Sequence, residues 1–405
     1  HHNRSEGNQN ILETINLLKL SKSIRCLLFH IVIKNIEYPF SGAIQNQTHW
    51  DQYQKLYIDI NHRIDINVLP ENLKELRFSE NWNHYEDLSF PDSLTKLTFG
   101  KKNYKSIQDL GLPENLKHLE FGPGYNKPLF DENGYKYLPD GLMTVKFGER
   151  FNQQFVNLDQ KRVLPDGLKN IHFDILSQFN QPLIPGAFPE SLTSLDLGYS
   201  FNQPLIPCVF PESLTSLRFS CLFDQPLLPN IFPKSLVSLR FSTNFNQSLT
   251  PCVFPESLTS LSFGYHFNQP LMPCVFPESL TSLSFGYHFN QPLLPNIFPK
   301  SLKDLKFGKR FNQFLFPGVL PESLISLWFS VKFNQPLLPN VLPESLQDLR
   351  FSPRYNQPLP SDILPKSLIT LRSGSRICPI NLNLPMDPNI SQESLNILDT
   401  EDALD

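Results

Sequence analysis

Leucine and phenylalanine recur along this chain on a fixed beat. The unit Pro-x-x-Leu-x-x-Leu-x-Phe stands at Pro255, Leu258, Leu261 and Phe263, and a second half, Phe-Asn-Gln-Pro-Leu, follows it. Leu261 and Phe263 are two apart, so in an extended chain they share one face while Ser260 and Ser262 take the other. The pattern predicts one short strand per unit, apolar inward and polar outward. A Gly or Ser (Gly264, Gly286, Gly308, Ser330) marks the turn that ends it. The aromatic before Asn-Gln falls at Phe179, Phe201, Phe223, Phe245, Phe267, Phe289, Phe311, Phe333 and Tyr355, each 22 residues after the last. Length by itself would suggest two or three domains for 405 residues, but stacked repeats build one continuous core. One mainly β, elongated, open parallel β-solenoid of 22-residue coils is the expected architecture.

The motif proline keeps the same time from Pro189 to Pro365 and continues upstream at Pro70, Pro91, Pro113, Pro139 and Pro165, with wider spacings. The extra residues, Phe130 to Tyr137 and Val156 to Arg162, lie outside the Leu-x-x-Leu-x-Phe core and are expected as loops. In the return half, proline keeps the path extended rather than helical. Between the two prolines of Leu-x-Pro-z-x-x-Pro, position z holds Gly186, Cys208, Asn230, Cys252, Cys274, Asn296, Gly318, Asn340 and Ser361. Glycine and asparagine dominate where φ is positive, so z reads as a corner. Ahead of the repeats, Ile11 to Ile33 carries apolar residues at helical spacing, which predicts a short N-terminal helical cap. The link from Tyr38 to Trp50 reads as loop, and Tyr53 to Ile58 as a degenerate first coil. Past Arg372 the pattern fails; Ile380, Leu382 and Leu384 alternate like a capping strand, and Asp387 to Asp405 carries six acidic residues and no base. The expected organisation is therefore cap and loop over 1–50, solenoid over 51–374, and C-terminal cap with acidic tail over 375–405.

Composition sharpens this picture by exclusion. Thirty-seven prolines rule out long helices through most of the chain, and a formal charge of -4 from 35 basic and 39 acidic residues gives no global attraction to nucleic acid or anionic membrane. The longest apolar run near the N-terminus, Cys26 to Ile33, is far below the ~18 to 20 residues of a membrane span. Six scattered cysteines do not make a disulfide framework and fit a reducing, cytoplasmic compartment. The chain opens on His1-His2 rather than methionine, so the lack of a secretory signal carries little weight.

Phe-Asn-Gln-Pro-Leu (Phe201 to Leu205) joined to Pro-Glu-Ser-Leu-Thr-Ser-Leu (Pro211 to Leu217) closely resembles the FNIP repeat family, named for a Phe-Asn-Ile-Pro core and related to leucine-rich repeats. The resemblance is strong from Phe151 to Arg372 and looser from Tyr53 to Phe147. It implies a leucine-rich-repeat-like solenoid serving as a protein-interaction surface, coupled in some members to an F-box or a kinase domain. Kinase motifs are missing here. Departures from the pattern are Asp224 for the asparagine, and Ser248 and Phe314 for the proline. The asparagines from Asn202 to Asn356 are expected to form an inward ladder that bonds turn backbones, beside a stack of phenylalanines.

The outward row just before the strand phenylalanine varies while the core does not. It reads Arg77, Thr98, Glu120, Lys146, His172, Asp196, Arg218, Arg240, Ser262, Ser284, Lys306, Trp328, Arg350 and Arg372, seven of them Lys or Arg. Neighbouring strands lie ~4.8 Å apart, so these residues form one stripe. Arg218, Arg240, Lys306, Trp328, Arg350 and Arg372 are the candidate partner-binding residues, because Trp and Arg are favoured at binding hot spots. The competing account is a solvated face whose basic side chains suppress sheet stacking. His266 and His288 fall one coil apart, as do Tyr265 and Tyr287, but a metal would need a third ligand, and Cys252 and Cys274 sit at another corner. Glu212, Glu256, Glu278, Glu322 and Glu344 all follow the motif proline, which suggests placement beside free N–H groups in a first turn. The serines recur in every coil without an activating base. The expectation is a non-catalytic protein-interaction scaffold with no cofactor or metal, a protein partner, and no nucleic acid. The alternative is an F-box-type substrate receptor of a ubiquitin ligase, its adaptor-binding part truncated or degenerate within Ile11 to Phe40 or preceding residue 1.

Overall fold

The computed structural model describes residues 38–39, 55–58, 69, 71–78, 89–101, 107–360, 362–373 and 376–378. These divide into two compact units. One runs to Gln203 and includes Cys208–Leu214; the other comprises Pro204–Pro207 and the chain from Thr215. Each is a parallel β-solenoid, with about 13 coils in all. Among the described residues the helical content is a single 3-10 turn at Ile107–Leu110. The expected helical cap within 1–50, the F-box region, the strand at Ile380 to Leu384 and the acidic tail lie outside the described residues.

The first unit carries β1 (Tyr38–Pro39), β2 (Lys55–Ile58), β3 (Glu75–Phe78), β4 (Lys96–Thr98), β5 (His118–Glu120), β6 (Thr144–Phe147), β7 (Asn170–Phe173) and β8 (Ser194–Asp196), each parallel to the next. The segment after Tyr38, expected as loop, thus begins with a two-residue strand that covers the edge of β2. The second unit carries β9 (Ser216–Arg218), β10 (Ser238–Arg240), β11 (Ser260–Ser262), β12 (Ser282–Ser284), β13 (Asp304–Lys306), β14 (Ser326–Trp328), β15 (Asp348–Phe351), β16 (Thr370–Ser373) and β17 (Arg376–Cys378). Here β9 to β16 pair in parallel, each residue opposite the one 22 positions later, as Leu239 opposite Leu261. Strand β17 turns back antiparallel on β16, Leu371 opposite Cys378, and covers that edge.

Aromatic rings fill the coils. In the second unit the strand phenylalanine and the one after the turn lie face to face within a coil, as Phe263 and Phe267 at 4.0 Å and Phe329 and Phe333 at 3.8 Å. Each also stacks on its counterpart in the next coil, as Phe263 on Phe285 at 5.7 Å and Phe267 on Phe289 at 6.1 Å. A third row, Phe232, Phe254, Phe276 and Phe298, stacks at 6.2 to 6.5 Å under the return path. Burying one such ring contributes about 1.5 to 3 kcal/mol, which makes this the main cohesive term between coils.

Hydrogen-bond ladders close the polar groups at the corners. The Asn290 Oδ1 accepts the backbone N–H of Asn312 at 2.8 Å, and the same bond joins Asn246 to Asn268, Asn268 to Asn290 and Asn312 to Asn334. These asparagines are half-buried, and their bonds run from coil to coil. Asp224 fills its rung because only the acceptor is used: its Oδ1 takes the N–H of Asn246 at 2.9 Å. A second ladder went unread in the sequence. The serine of Pro-Glu-Ser-Leu donates its hydroxyl to the leucine carbonyl of the preceding coil, as Ser257 to Leu236 and Ser323 to Leu302, both at 2.7 Å. Two of the motif glutamates accept a backbone N–H from the next coil: Glu278 Oε2 that of Lys300 at 3.2 Å and Glu344 Oε2 that of Lys366 at 3.4 Å.

Corner z is left-handed wherever it is described. Cys208, Asn230, Cys252, Cys274, Asn296 and Asn340 have φ between 61° and 64°, and Gly186 and Gly318 have 79° and 82°. Both insertions are small antiparallel loops, bridged Phe130 to Lys136 and Val156 to Arg162. Asp131 Oδ1 accepts the N–H of Asn133 and Tyr135, and Asn157 Oδ1 those of Asp159 and Lys161, so the two loops share one construction. Asn157 Nδ2 also donates to Gly134 O at 3.0 Å and holds them together.

Candidate interaction surface

Period-2 alternation puts the residue before the strand phenylalanine outward, and the parallel register makes these residues neighbours. In the second unit Arg218 pairs with Arg240, Lys306 with Trp328, Trp328 with Arg350, and Arg350 with Arg372. All six candidate residues therefore lie on one strand face. Arg218 and Lys306 are exposed; Arg240, Trp328, Arg350 and Arg372 are half-buried. The row does not behave uniformly. In the first unit the Lys146 ammonium is 2.7 Å from the Glu120 carboxylate, so charge there is compensated within the row. Between 215 and 373, by contrast, thirteen Lys and Arg face eight Asp and Glu, against a chain whose formal charge is -4.

Trp328 organises the strongest part of the row. The Arg350 guanidinium lies 3.9 Å from the indole centroid and the Lys306 ammonium 5.4 Å, one from each flanking strand. A cation over an indole face gains about 0.5 to 2 kcal/mol, more as water is excluded. Asp348 Oδ2 steadies Arg350 through its Nε at 3.4 Å. Four buried side-chain polar atoms among the described residues have no hydrogen-bond partner, and three are here: Trp328 Nε1, Asp348 Oδ1 and Arg372 Nε. An unmet buried donor or acceptor costs about 1 to 3 kcal/mol. Two cations thus lie on one indole, with unmet polar atoms on its own strand and on the two strands that follow.

The turn after the strand carries the second feature foreseen. Tyr265 stacks on Tyr287 at 4.5 Å, and His266 lies 5.0 Å from His288. Lys309 and Arg310 approach the Tyr287 ring at 5.9 and 5.6 Å. Desolvation first, then Arg310 and His266, hold the His288 pKa below the usual imidazole value. Among the described residues no three His, Cys, Asp or Glu side chains are grouped to hold a metal ion. No helix there is long and apolar enough to cross a membrane.

A different surface escaped the sequence reading. The x of Leu-x-Pro is an exposed apolar residue in most coils of the second unit: Ile206, Leu228, Met272, Leu294, Phe316 and Leu338. Its signal was present as a 22-residue recurrence just before the corner proline.

The FNIP Repeat family profile matches residues 60–102, 160–200, 179–222, 201–244, 245–288, 289–332 and 333–374. Among solved structures, the chain is similar to CroV588, described as a novel circular LRR protein, with 34% identity and a TM-score of 0.60 over 80% of this chain and 53% of that one. The chain spans about half of that protein's length. YopM from Yersinia enterocolitica WA-314 aligns at 18% identity and a TM-score of 0.41, covering 80% of this chain and 73% of its own. The TLR13 chain of a TLR13-ssRNA13 complex aligns at 16% identity and 0.48, covering 80% and 61%. No curated protein matches the chain.

Proposed function

Because this chain belongs to the FNIP repeat family, we propose that it is a non-catalytic scaffold that binds a protein partner on the strand face of its second unit, centred on Trp328. Leucine-rich-repeat-like folds commonly bind proteins, and solenoids of this class are generally not catalysts. The observation that carries the reading is the Lys306–Trp328–Arg350 stack with its unpartnered Trp328 Nε1 and Arg372 Nε. A row that served solubility only would leave its polar atoms in water; this one holds Trp328 Nε1 and Arg372 Nε buried and unmet, the first on an aromatic anchor of the kind found at interface hot spots. Arg218 and Arg240 extend the same row as a basic approach surface, which raises association rate more than final affinity. The scattered cysteines suit a reducing, cytoplasmic setting for such a complex.

The test is an affinity capture with the chain and with Arg218, Arg240, Lys306 and Trp328 replaced together by serine. Binders common to replicate captures should drop out, with the circular dichroism unchanged. An unchanged bound set on a folded quadruple variant would make the row a solvated face and sink the reading.

A further inference from the structure

From Gln225 to Pro233 the second unit carries no charged residue, and the equivalent runs of the next five coils, ending at Pro255, Pro277, Pro299, Pro321 and Pro343, carry none either. The residue before the corner proline in these six runs is Leu228, Thr250, Met272, Leu294, Phe316 and Leu338 in turn. The five apolar ones are 39 to 57% exposed. They stand in register: the corner N–H of Asn296 donates to Gly318 O at 3.1 Å, and Phe254 and Phe276 stack beneath them with ring planes 4° apart. At ~4.8 Å per coil the result is an uncharged ridge about 24 Å long. Exposed apolar surface of this kind, interrupted only at Thr250, marks an association site.

Two coils give the ridge a relief. Beside Thr250, Ser248 replaces the usual proline, so both outward side chains are small and exposed. Beside Phe316, Phe314 replaces the same proline, and the two rings meet edge to face at 4.9 Å. The notch lies one coil before Met272 and the knob one coil after Leu294. A two-fold axis between the coils of Met272 and Leu294 therefore lays each knob over the other copy's notch, Met272 over Leu294, and Leu228 over Leu338. In an isologous contact a residue i that meets j must find j meeting i, and these positions satisfy that condition.

We propose that the ridge is a self-association surface that closes an antiparallel two-fold dimer of this chain, with Phe314 and Phe316 of each copy seated in the Ser248–Thr250 notch of the other. The ridge has no charge to oppose its own image, whereas the strand row would set Arg and Lys against Arg and Lys. It also lacks the basic side chains that would favour an anionic lipid surface. Five extended residues span about 16 Å, so the face covers roughly 400 Å² per copy and about 800 Å² for a pair. That falls in the range of weak, transient interfaces, below the roughly 1,200 Å² of standard ones, so the dimer dissociates in the micromolar range.

Sedimentation equilibrium of the full chain tests this. The expected result is a monomer–dimer equilibrium with a Kd of about 1 to 100 μM, nearly insensitive to salt. Ser248→Phe with Thr250→Phe fills the notch and weakens dimerisation at least tenfold, about 1.4 kcal/mol or more. Adding Phe314→Ser and Phe316→Thr exchanges knob for notch and restores the affinity. Circular dichroism confirms folding of each exposed-site variant. Four results would overturn the proposal: a monomer throughout, open-ended polymers, an unchanged Kd in the filled-notch variant, or a folded exchange variant that stays monomeric. Variants of the strand row leave the equilibrium unchanged, so this test fails or succeeds apart from the partner-binding reading.

Discussion

Asn290→Ala isolates one rung of the asparagine ladder. The Asn290 Oδ1 accepts the N–H of Asn312 at 2.8 Å and the Gln313 side-chain amide at 3.2 Å. Truncation leaves Gln313 its second bond, to Asn290 O at 3.1 Å, but takes the acceptor from the Asn312 N–H. A half-buried donor left unmet costs about 1 to 3 kcal/mol. Asn290→Asp keeps both acceptor contacts, as the same chain already does at Asp224, whose Oδ1 takes the N–H of Asn246 and the side-chain amide of Gln247, each at 2.9 Å. The aspartate variant should therefore stay within about 0.5 kcal/mol of the parent. Urea unfolding of both variants measures the difference, and amide exchange at Asn312 localises it, with roughly tenfold lower protection for each 1.4 kcal/mol lost in the alanine variant. If alanine and aspartate give the same midpoint and Asn312 stays protected in both, the ladder adds no stability and the stacked rings hold the coils by themselves.

Two glycines of different kinds should respond differently to alanine. A Cβ on Gly286 would lie 1.6 Å from Gly264 O, a backbone clash, and the expected loss is about 2 to 4 kcal/mol in chemical unfolding. At Gly318 a Cβ would make only an ordinary contact, with Pro295 Cβ at 3.8 Å, but φ is +82°, so Gly318→Ala costs about 1 kcal/mol, while Gly318→Asn is nearly neutral because Asn296 and Asn340 hold the same corner at 61° and 63°. Equal losses at the two glycines would refute the distinction. Tyr355 ends the row of rings with a buried hydroxyl that has no partner, and burial pushes its pKa up to about 12 from 10.0. The unfolded chain gives up this proton first, so parent stability falls as pH rises from about 10 through 12. Tyr355→Phe should raise stability at neutral pH by about 1 kcal/mol and remove that alkaline loss, read from thermal melts at a series of pH values.

Much of the architecture was legible because each coil repeats the same local instruction. Leu261 and Phe263 specify an inward pair, and both are buried. Corner z was readable even where it holds cysteine, since asparagine and glycine in sister coils reveal the left-handed backbone that Cys252 and Cys274 adopt. The strand row was equally legible by alternation. What it does was less so: the stack on Trp328 depends on how Arg350 and Lys306 lean from adjacent strands, which spacing does not give. The serine ladder was hidden because a hydroxyl in a recurring Ser-Leu looks like a solvated group until the leucine carbonyl of the preceding coil is set 2.7 Å away. For the same reason the sequence did not tell which N–H groups the glutamates meet: those of Glu278 and Glu344 belong to residues 22 positions on.

The sequence by itself determined the period, the strand in each coil, which side chains are buried, and which corner needs positive φ. These follow from local geometry and hydrophobic alternation, and every repeat states them again. Only the tertiary structure decided which polar atoms are satisfied between coils and which remain unmet at Trp328 and Arg372. It alone showed that Leu228, Met272, Leu294, Phe316 and Leu338, each before its corner proline, face outward as exposed apolar side chains. Those properties arise where one coil lies on the next, at distances no single repeat encodes.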